Sequence, residues 1–320
     1  MKRIVPIVRA IVFALILFSS TFKSFSQSIT AGNGRVEIGL GLGPLFFLGD
    51  LGGSYGIGRT FVKDVDFPMT KLCKGIFVSI TPNEWLAFRV AVNQGVLEGD
   101  DKQAPNKGGD ERFRLWRNLN FRSNLIEGYV AAEFYPSVFI EQYDGLFGKL
   151  RPYGVIGAGV YHFNPKTKDD NGNWVALQPL HTEGEGFAEY PDRKVYSLTQ
   201  MEIPIGFGVK FYVKENMFIG AEVLHRKLFT DYVDDVSTTY IDPLLFNKYL
   251  SPDKAAEARS LYYRGDKVVQ GRTPAIDEQR GDPKQNDAFF STIIRMGWRL
   301  NGHNSPNGRA MRQLRCPLYY

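Results

Sequence analysis

Residues 200–213 read QMEIPIGFGVKFYV. The odd positions are Met201, Ile203, Ile205, Phe207, Val209, Phe211 and Val213. The even positions are Gln200, Glu202, Pro204, Gly206, Gly208, Lys210 and Tyr212. Successive side chains of a strand point to opposite faces, so this is one strand with two unlike sides. One side is apolar throughout. The other holds charged, polar and small residues. The run is longer than a typical strand of a soluble domain.

Seven more segments repeat the pattern: 35–47, 72–80, 85–98, 121–135, 151–163, 217–230 and 288–300. In the first, Val36, Ile38, Leu40 and Leu42 alternate with Glu37, Gly39, Gly41 and Gly43. In the last, Ile294, Met296, Trp298 and Leu300 alternate with Arg295, Gly297 and Arg299. The connections sort by length. TPNE (81–84) and KEN (214–216) are tight turns, and 136–150 is a medium connection. The connections at 48–71, 99–120, 164–199 and 231–287 are long and polar. Long and short therefore alternate strictly, as in an outer-membrane barrel with long outer loops and short periplasmic turns. The fold expected is all-β: an eight-stranded up-and-down transmembrane β-barrel.

The polar face would point inward. It includes Glu37, Arg89, Glu127, Glu133, Glu202, Lys210, Glu222, Arg226, Arg295 and Arg299, of balanced sign. Eight strands leave room for side chains and no channel. Inward glycines at 39, 41, 157, 159, 206 and 208 make space for the long ones. Trp85, Tyr135, Tyr153, Tyr212 and Trp298 are expected as an aromatic girdle near the periplasmic rim. A soluble lipocalin-like barrel would invert the pattern, apolar inside and charged outside.

The N-terminus agrees. Lys2 and Arg3 precede the apolar run 11–18, and Ser24-Phe25-Ser26 follows. That order is a secretory signal peptide over 1–26, too short to span a bilayer. The barrel then covers 27–300 and a periplasmic tail 301–320. The chain carries net charge +5. Four basic residues and no acid lie in the signal (Lys2, Arg3, Arg9, Lys23), so the mature chain is nearly neutral, with no sign of nucleic-acid binding. After residue 27 no stretch is apolar enough for a transmembrane helix. Two cysteines, Cys73 and Cys316, allow at most one bridge.

The stretch LHRKLFTDYVDDVSTTYID (224–242) changes abruptly from strand to acids and hydroxyls. Asp231, Tyr232, Asp234, Asp235 and Ser237 open the fourth and longest loop, and the jump reads as a strand leaving the membrane for water. A Ca²⁺ site on Asp231, Asp234 and Asp235 lacks the Gly-containing ligand ladder of an EF-hand. Within the same loop, SPDKAAEARSLYYR (251–264) predicts a short helix with Ser251 as cap and Pro252 at its first position. KDDNGNW (168–174) is a turn-rich loop tip.

The same stretch resembles a signature of a family of Bacteroidetes outer-membrane β-barrels that includes PorG of the type IX secretion system. The resemblance runs in order along nearly the whole mature chain: LGDLGG (48–53), EGDD (98–101), RNLNFRSNL (117–125), PYGVIGAGVYHFNPK (152–166), LHTEGEG (180–186), YSLTQMEIPIGFGVK (196–210), RKLFTDYVDDVSTTYIDP (226–243) and QRGDPKQND (279–287). Val233 stands where Leu is usual. The resemblance implies a non-enzymatic barrel, with no cofactor, that links the outer membrane to the periplasmic ring of the PorK lipoprotein and PorN. Ring contacts would then lie on the periplasmic side. The candidates are Phe139, Ile140, Leu146 and Phe147 in one connection, and Leu314, Leu318, Tyr319 and Tyr320 in the tail.

Other classes leave weaker traces. A lipid-modifying enzyme could use His162, His181 or His225, but no nucleophile motif accompanies them. An eight-stranded barrel is a poor channel. A surface-binding barrel would work through its long loops. No small-molecule substrate is indicated, and the expected partners are membrane lipids and the ring.

Overall fold

The computed structural model describes residues 35–52, 67–83, 85–103, 111–139, 149–214 and 216–300. The expected signal peptide and tail, with Cys316, Ile140, Leu146, Phe147, Leu318, Tyr319 and Tyr320, lie outside the described residues.

Eight long antiparallel strands close on themselves. They are β1 (Arg35–Leu48), β2 (Lys71–Asn83), β3 (Leu86–Asp100), β4 (Asn120–Phe134), β5 (Leu150–His162), β8 (Thr199–Lys214), β9 (Met217–Leu228) and β10 (Ala288–Arg299). Two short strands, β6 (Pro165–Lys168) and β7 (Trp174–Ala176), form a hairpin that extends β4 above the barrel. Neighbours follow chain order, β10 pairs with β1, and β3 pairs with β4 over fifteen registered residues from Leu86↔Phe134 to Asp100↔Asn120. Closure leaves none of the eight barrel strands at an edge. The fold is the eight-stranded up-and-down barrel that the alternation predicts.

The connections also sort as expected, with tighter turns than the sequence suggests. β2 runs to Asn83 and β3 starts at Leu86, so Thr81, Pro82 and Asn83 belong to the strand. β8 and β9 are likewise separated by two residues. The four long connections gather at the opposite end.

The faces divide as the period dictates. Leu40, Leu42, Ile76, Val90, Val130, Ile156, Met201, Phe207 and Ile294 stand exposed on the outside. Glu37, Arg89, Glu127, Glu133, Glu202, Lys210, Glu222, Arg226 and Arg295 are buried inside. An apolar exterior around a charged interior is the arrangement of a barrel in lipid. The inward glycines are needed for it. A Cβ on Gly39 would stand 2.3 Å from the Phe77 ring, and one on Gly208 would stand 2.5 Å from the Tyr153 hydroxyl.

The girdle expectation needs correction. Trp85 and Trp298 are exposed as expected, but Tyr135 and Tyr153 are buried in the lumen and Tyr212 is half-buried. Their hydroxyls donate to Glu133, Glu222 and Glu37 respectively. A phenol can fill apolar space and still satisfy a buried carboxylate, so these tyrosines serve the interior.

Above the lumen the long loops fold into a cap. It contains the helices α1 (Glu111–Arg117), α2 (Leu245–Tyr249) and α3 (Pro252–Leu261). α3 is the helix the sequence predicts, and it buries Ala255, Ala258 and Leu261. Ser251 is at its N-cap, yet makes no side-chain capping bond. The cap core is continuous with the upper lumen, through Leu45, Leu97, Leu125, Phe163, Phe246 and Phe289. Cys73 is a free, buried thiol.

Candidate functional site: a sealed lumen under a knotted cap

Most charges in the lumen are paired at close range; the buried Glu202 carboxylate is the exception, with no hydrogen-bond partner among the described residues. Near the turn end, Lys210 Nζ lies 3.0 Å from Glu37 and 2.9 Å from Glu133. Arg295 Nη1 reaches Glu133 at 3.2 Å and Glu222 at 3.1 Å. Arg89 reaches Glu222 at 2.7 Å and Glu133 at 3.2 Å. Three bases thus share three acids, and buried charges of this kind persist only when so paired. One layer up, Arg226 Nε donates to Glu127 at 3.1 Å, and Asn93 Nδ2 donates to the same carboxylate at 2.5 Å. A gap of about 10 Å³ between Arg89, Asn93, Tyr129 and Arg295 is roughly the space of one water. The lumen is a plug built of side chains.

The cap is tied by the acids of the 224–242 stretch. Here the sequence expectation fails: Asp231, Asp234, Asp235 and Ser237 are buried, not released into water. Asp234 accepts from the amide of Leu51 at 2.9 Å and of Val236 at 3.0 Å, which fastens the first loop to the fourth. Asp235 sits in the left-handed region, at φ 68°, and accepts from Thr182 Oγ1 and Tyr196 Oη at 2.6 Å each. That fastens the third loop to the fourth. Glu183 accepts from the amides of Ser237 and Thr238 at 2.9 and 2.8 Å and from Arg280 at 2.8 Å. Asp101 takes two bonds from Arg117 at 2.8 Å each, and Arg117 Nη2 donates to the Asp50 carbonyl at 2.6 Å. Asp287 accepts from the Val233 amide at 2.8 Å.

These residues come from LGDLGG, EGDD, RNLNFRSNL, LHTEGEG, the start of YSLTQMEIPIGFGVK, TDYVDDVSTT, QRGD and the final Asp of the 279–287 motif. The scattered loop motifs therefore meet in one knot. Sequence reasoning found each of them and missed that they touch, because the contacts span up to 232 positions, from Asp50 to the Asp282 amide.

The electrostatics of the knot follow from burial. Burial pushes the Asp231 carboxyl up to about 9, helped by repulsion from Asp50 and Asp234. Asp50 and Asp235 rise to about 6 by burial, against the pull of Arg117 and Arg280 respectively. Asp234 and Asp287 are raised well above the usual carboxylate range by burial and by the neighbouring acids. Among the described residues no three His, Cys, Asp or Glu side chains are grouped to hold a metal ion. Asp235 turns toward Thr182 and Tyr196, away from a site shared with Asp231.

The three candidate histidines lie on separate elements. His162 is exposed at the end of β5, with Nδ1 2.9 Å from Thr199 Oγ1. His181 lies in the third loop, its ring 5.9 Å from that of Phe187. His225 is on β9, in register with Ile205 and Phe290. At the turn end, Phe139 is exposed and packs its ring against Phe134 and Trp85, with centroids 6.0 and 6.3 Å away.

No family model matches the chain, and no curated protein does. Solved structures similar to it include Ail of Yersinia pestis in complex with the heparin analogue sucrose octasulfate, at 9% identity and TM-score 0.36, covering 84% of this chain and 99% of that one. A major outer membrane protein from Thermus thermophilus is 9% identical, with TM-score 0.38 and coverage of 83% and 99%. OprG from Pseudomonas aeruginosa is 12% identical, with TM-score 0.35 and coverage of 85% and 99%.

Proposed function

We propose that the protein is a non-enzymatic, non-conducting barrel of the outer membrane that anchors the periplasmic PorK and PorN ring of a type IX secretion system. The observation that carries the non-conducting part is the lumen, filled by charged side chains, most of them paired, and by tyrosines. Such a barrel offers its surfaces, not its interior, to partners. The dispersal of the candidate histidines His162, His181 and His225 over three elements supports the non-enzymatic part. The assignment to the secretion system rests on the sequence resemblance.

Short turns face the periplasm in barrels of this kind, so ring contacts belong at the turn end. Phe139, 66% exposed on its aromatic base of Phe134 and Trp85, is the described residue best placed there. Exposed aromatic anchors tend to dominate interface energies. The test is a tagged barrel carrying Phe139→Asp, and a second lacking residues 303–320. Both are expected to insert normally, recover less of the PorK lipoprotein and secrete less type IX cargo. Normal recovery and secretion in both variants, with the barrel at wild-type levels, would replace the anchor reading with a structural or surface-binding barrel.

A further inference from the structure

The β6–β7 hairpin carries β4 beyond the barrel, and its outward face holds an excess of bases. Arg122 of β4 is the registered cross-strand partner of Lys166 of β6, and Lys168 of β6 is the partner of Trp174 of β7. Ser123 and Pro165 are a buried pair in the same register, so Arg122 and Lys166 share the opposite, outward face. Trp174 is 48% exposed, with the Arg122 guanidinium 5.6 Å and the Lys168 ammonium 5.2 Å from its ring centroid.

The nearby acids do not balance this group. Glu98 of β3, in register with Arg122, is shared between Arg122 at 3.3 Å and Lys71 at 2.8 Å. Asp169 accepts from the amides of Asn171 and Asn173 in the hairpin turn, and Asp170 pairs with Lys267. Lys166 has no ion pair or hydrogen bond among the described residues. Like charges directly opposite one another on a sheet are destabilising. Arg122 and Lys166 are such a pair, so this face gains from an anion held between them.

The level of the group selects the source of the anion. On β4, Arg122 lies four residues beyond Ile126 on the same face, roughly 13 Å along the tilted strand toward the cap. Ile126 and Val160, on adjacent strands, are more than half exposed in the apolar belt. The bases therefore stand just past the belt, where lipid headgroups begin. An exposed tryptophan is a residue that settles at this level. A lipid anion can lay its acyl chains on the belt and its charge on the bases, which a free anion cannot.

We propose that Arg122, Lys166 and Lys168, gathered around Trp174, bind the phosphate of an outer-leaflet lipid headgroup. The inference does not depend on the ring-anchor reading, since it concerns the lipid-facing side at the capped end.

The experiment uses the full folded chain in neutral maltoside micelles. The probes are bisphosphorylated lipid A, the same lipid stripped of its phosphates, and inorganic phosphate, with binding followed by native mass spectrometry and calorimetry. Bisphosphorylated lipid A should bind saturably, and at least about tenfold more tightly than either control. Each base near a membrane surface is worth about fivefold in affinity for anionic headgroups. Lys166→Gln should therefore bind about fivefold more weakly, and the combined Arg122→Gln, Lys166→Gln and Lys168→Gln variant roughly a hundredfold more weakly. Binding should weaken as salt is raised. Without lipid, Lys166→Gln should melt no lower than wild type, because it removes a repulsion. The proposal is overturned if Lys166→Gln and the triple variant bind lipid A as wild type does. Equal binding of the stripped lipid would overturn it in favour of acyl-chain contacts alone, and equal binding of inorganic phosphate in favour of a free-anion site. A lipid-free Lys166→Gln barrel that melts below wild type would also overturn it, since Lys166 would then serve the fold.

Discussion

Ile205 and Gly208 lie three positions apart on β8 and face different media. Ile205 is 43% exposed on the apolar exterior, paired across with His225 on one side and Ile156 on the other. Gly208 faces the lumen, where Tyr153 leaves no room for a Cβ. A single odd-to-even step thus changes the physical requirement from lipid compatibility to minimal volume. Ile205→Arg should cost about 2–4 kcal/mol if the residue lies near the bilayer midplane. Equilibrium urea titrations of folding into phospholipid vesicles measure it, with Ile205→Leu as the volume-conserving control. An Arg variant with the wild-type midpoint and slope would mean that this face does not meet lipid. At the same scale the tyrosines show a limit of pattern reading. Tyr135, Tyr153 and Tyr212 have the same composition signal as a girdle, and only the partner carboxylates on other strands decide that they turn inward.

At the scale of elements, strands were legible and the cap was not. A strand's two faces are written in residues i and i+2, so each of the eight could be read locally, with ends correct to within two or three residues. α1 (ERFRLWR) is one of the shortest possible helices, and β6 (PKTK) has no apolar alternation, so neither carries a local signal. The acids of 231–237 looked solvent-bound for the same reason: their burial is decided by Leu51, Thr182, Tyr196 and Val236. This burial gives the cap a pH dependence with a definite sign. Asp231 titrates near 9 in the folded cap, Asp50 near 6, and Asp234 and Asp287 are held well above the usual range. An unfolded Asp titrates at about 3.9. Between about pH 4 and pH 9 the folded cap therefore holds protons that the opened cap releases, and its stability falls as pH rises through that window. Amide exchange of residues 231–241, corrected for intrinsic rates, should report weaker protection near pH 8.5 than near pH 5. Asp231→Asn, which keeps the shape and cannot ionise, should flatten the difference. Protection that is equal at both pH values in the wild type, or stronger at the higher one, contradicts the assignment.

The molecule as a whole joins a plug, an apolar belt and a cap along one axis, and its two ends are unlike. The described parts of the four long loops, with α1, α2 and α3, crowd one end. Two-residue turns, the start of β1 and the end of β10 mark the other. Translocating long polar loops across the membrane during insertion is harder than leaving short turns behind, yet barrels of this class place long loops outside and turns in the periplasm. Lys284, exposed in the fourth loop, should therefore face the medium, and Asn216, exposed in the β8–β9 turn, should face the periplasm. Single cysteines at these two positions distinguish the orientations, in a background where Cys73 and Cys316 are replaced by Ala. An impermeant maleimide applied to intact cells should label Lys284→Cys and leave Asn216→Cys untouched, and outer-membrane permeabilisation should make both reactive. Labelling of Asn216→Cys alone on intact cells would invert the barrel. It would also move the cap into the periplasm and place Phe139 on the side away from any periplasmic ring.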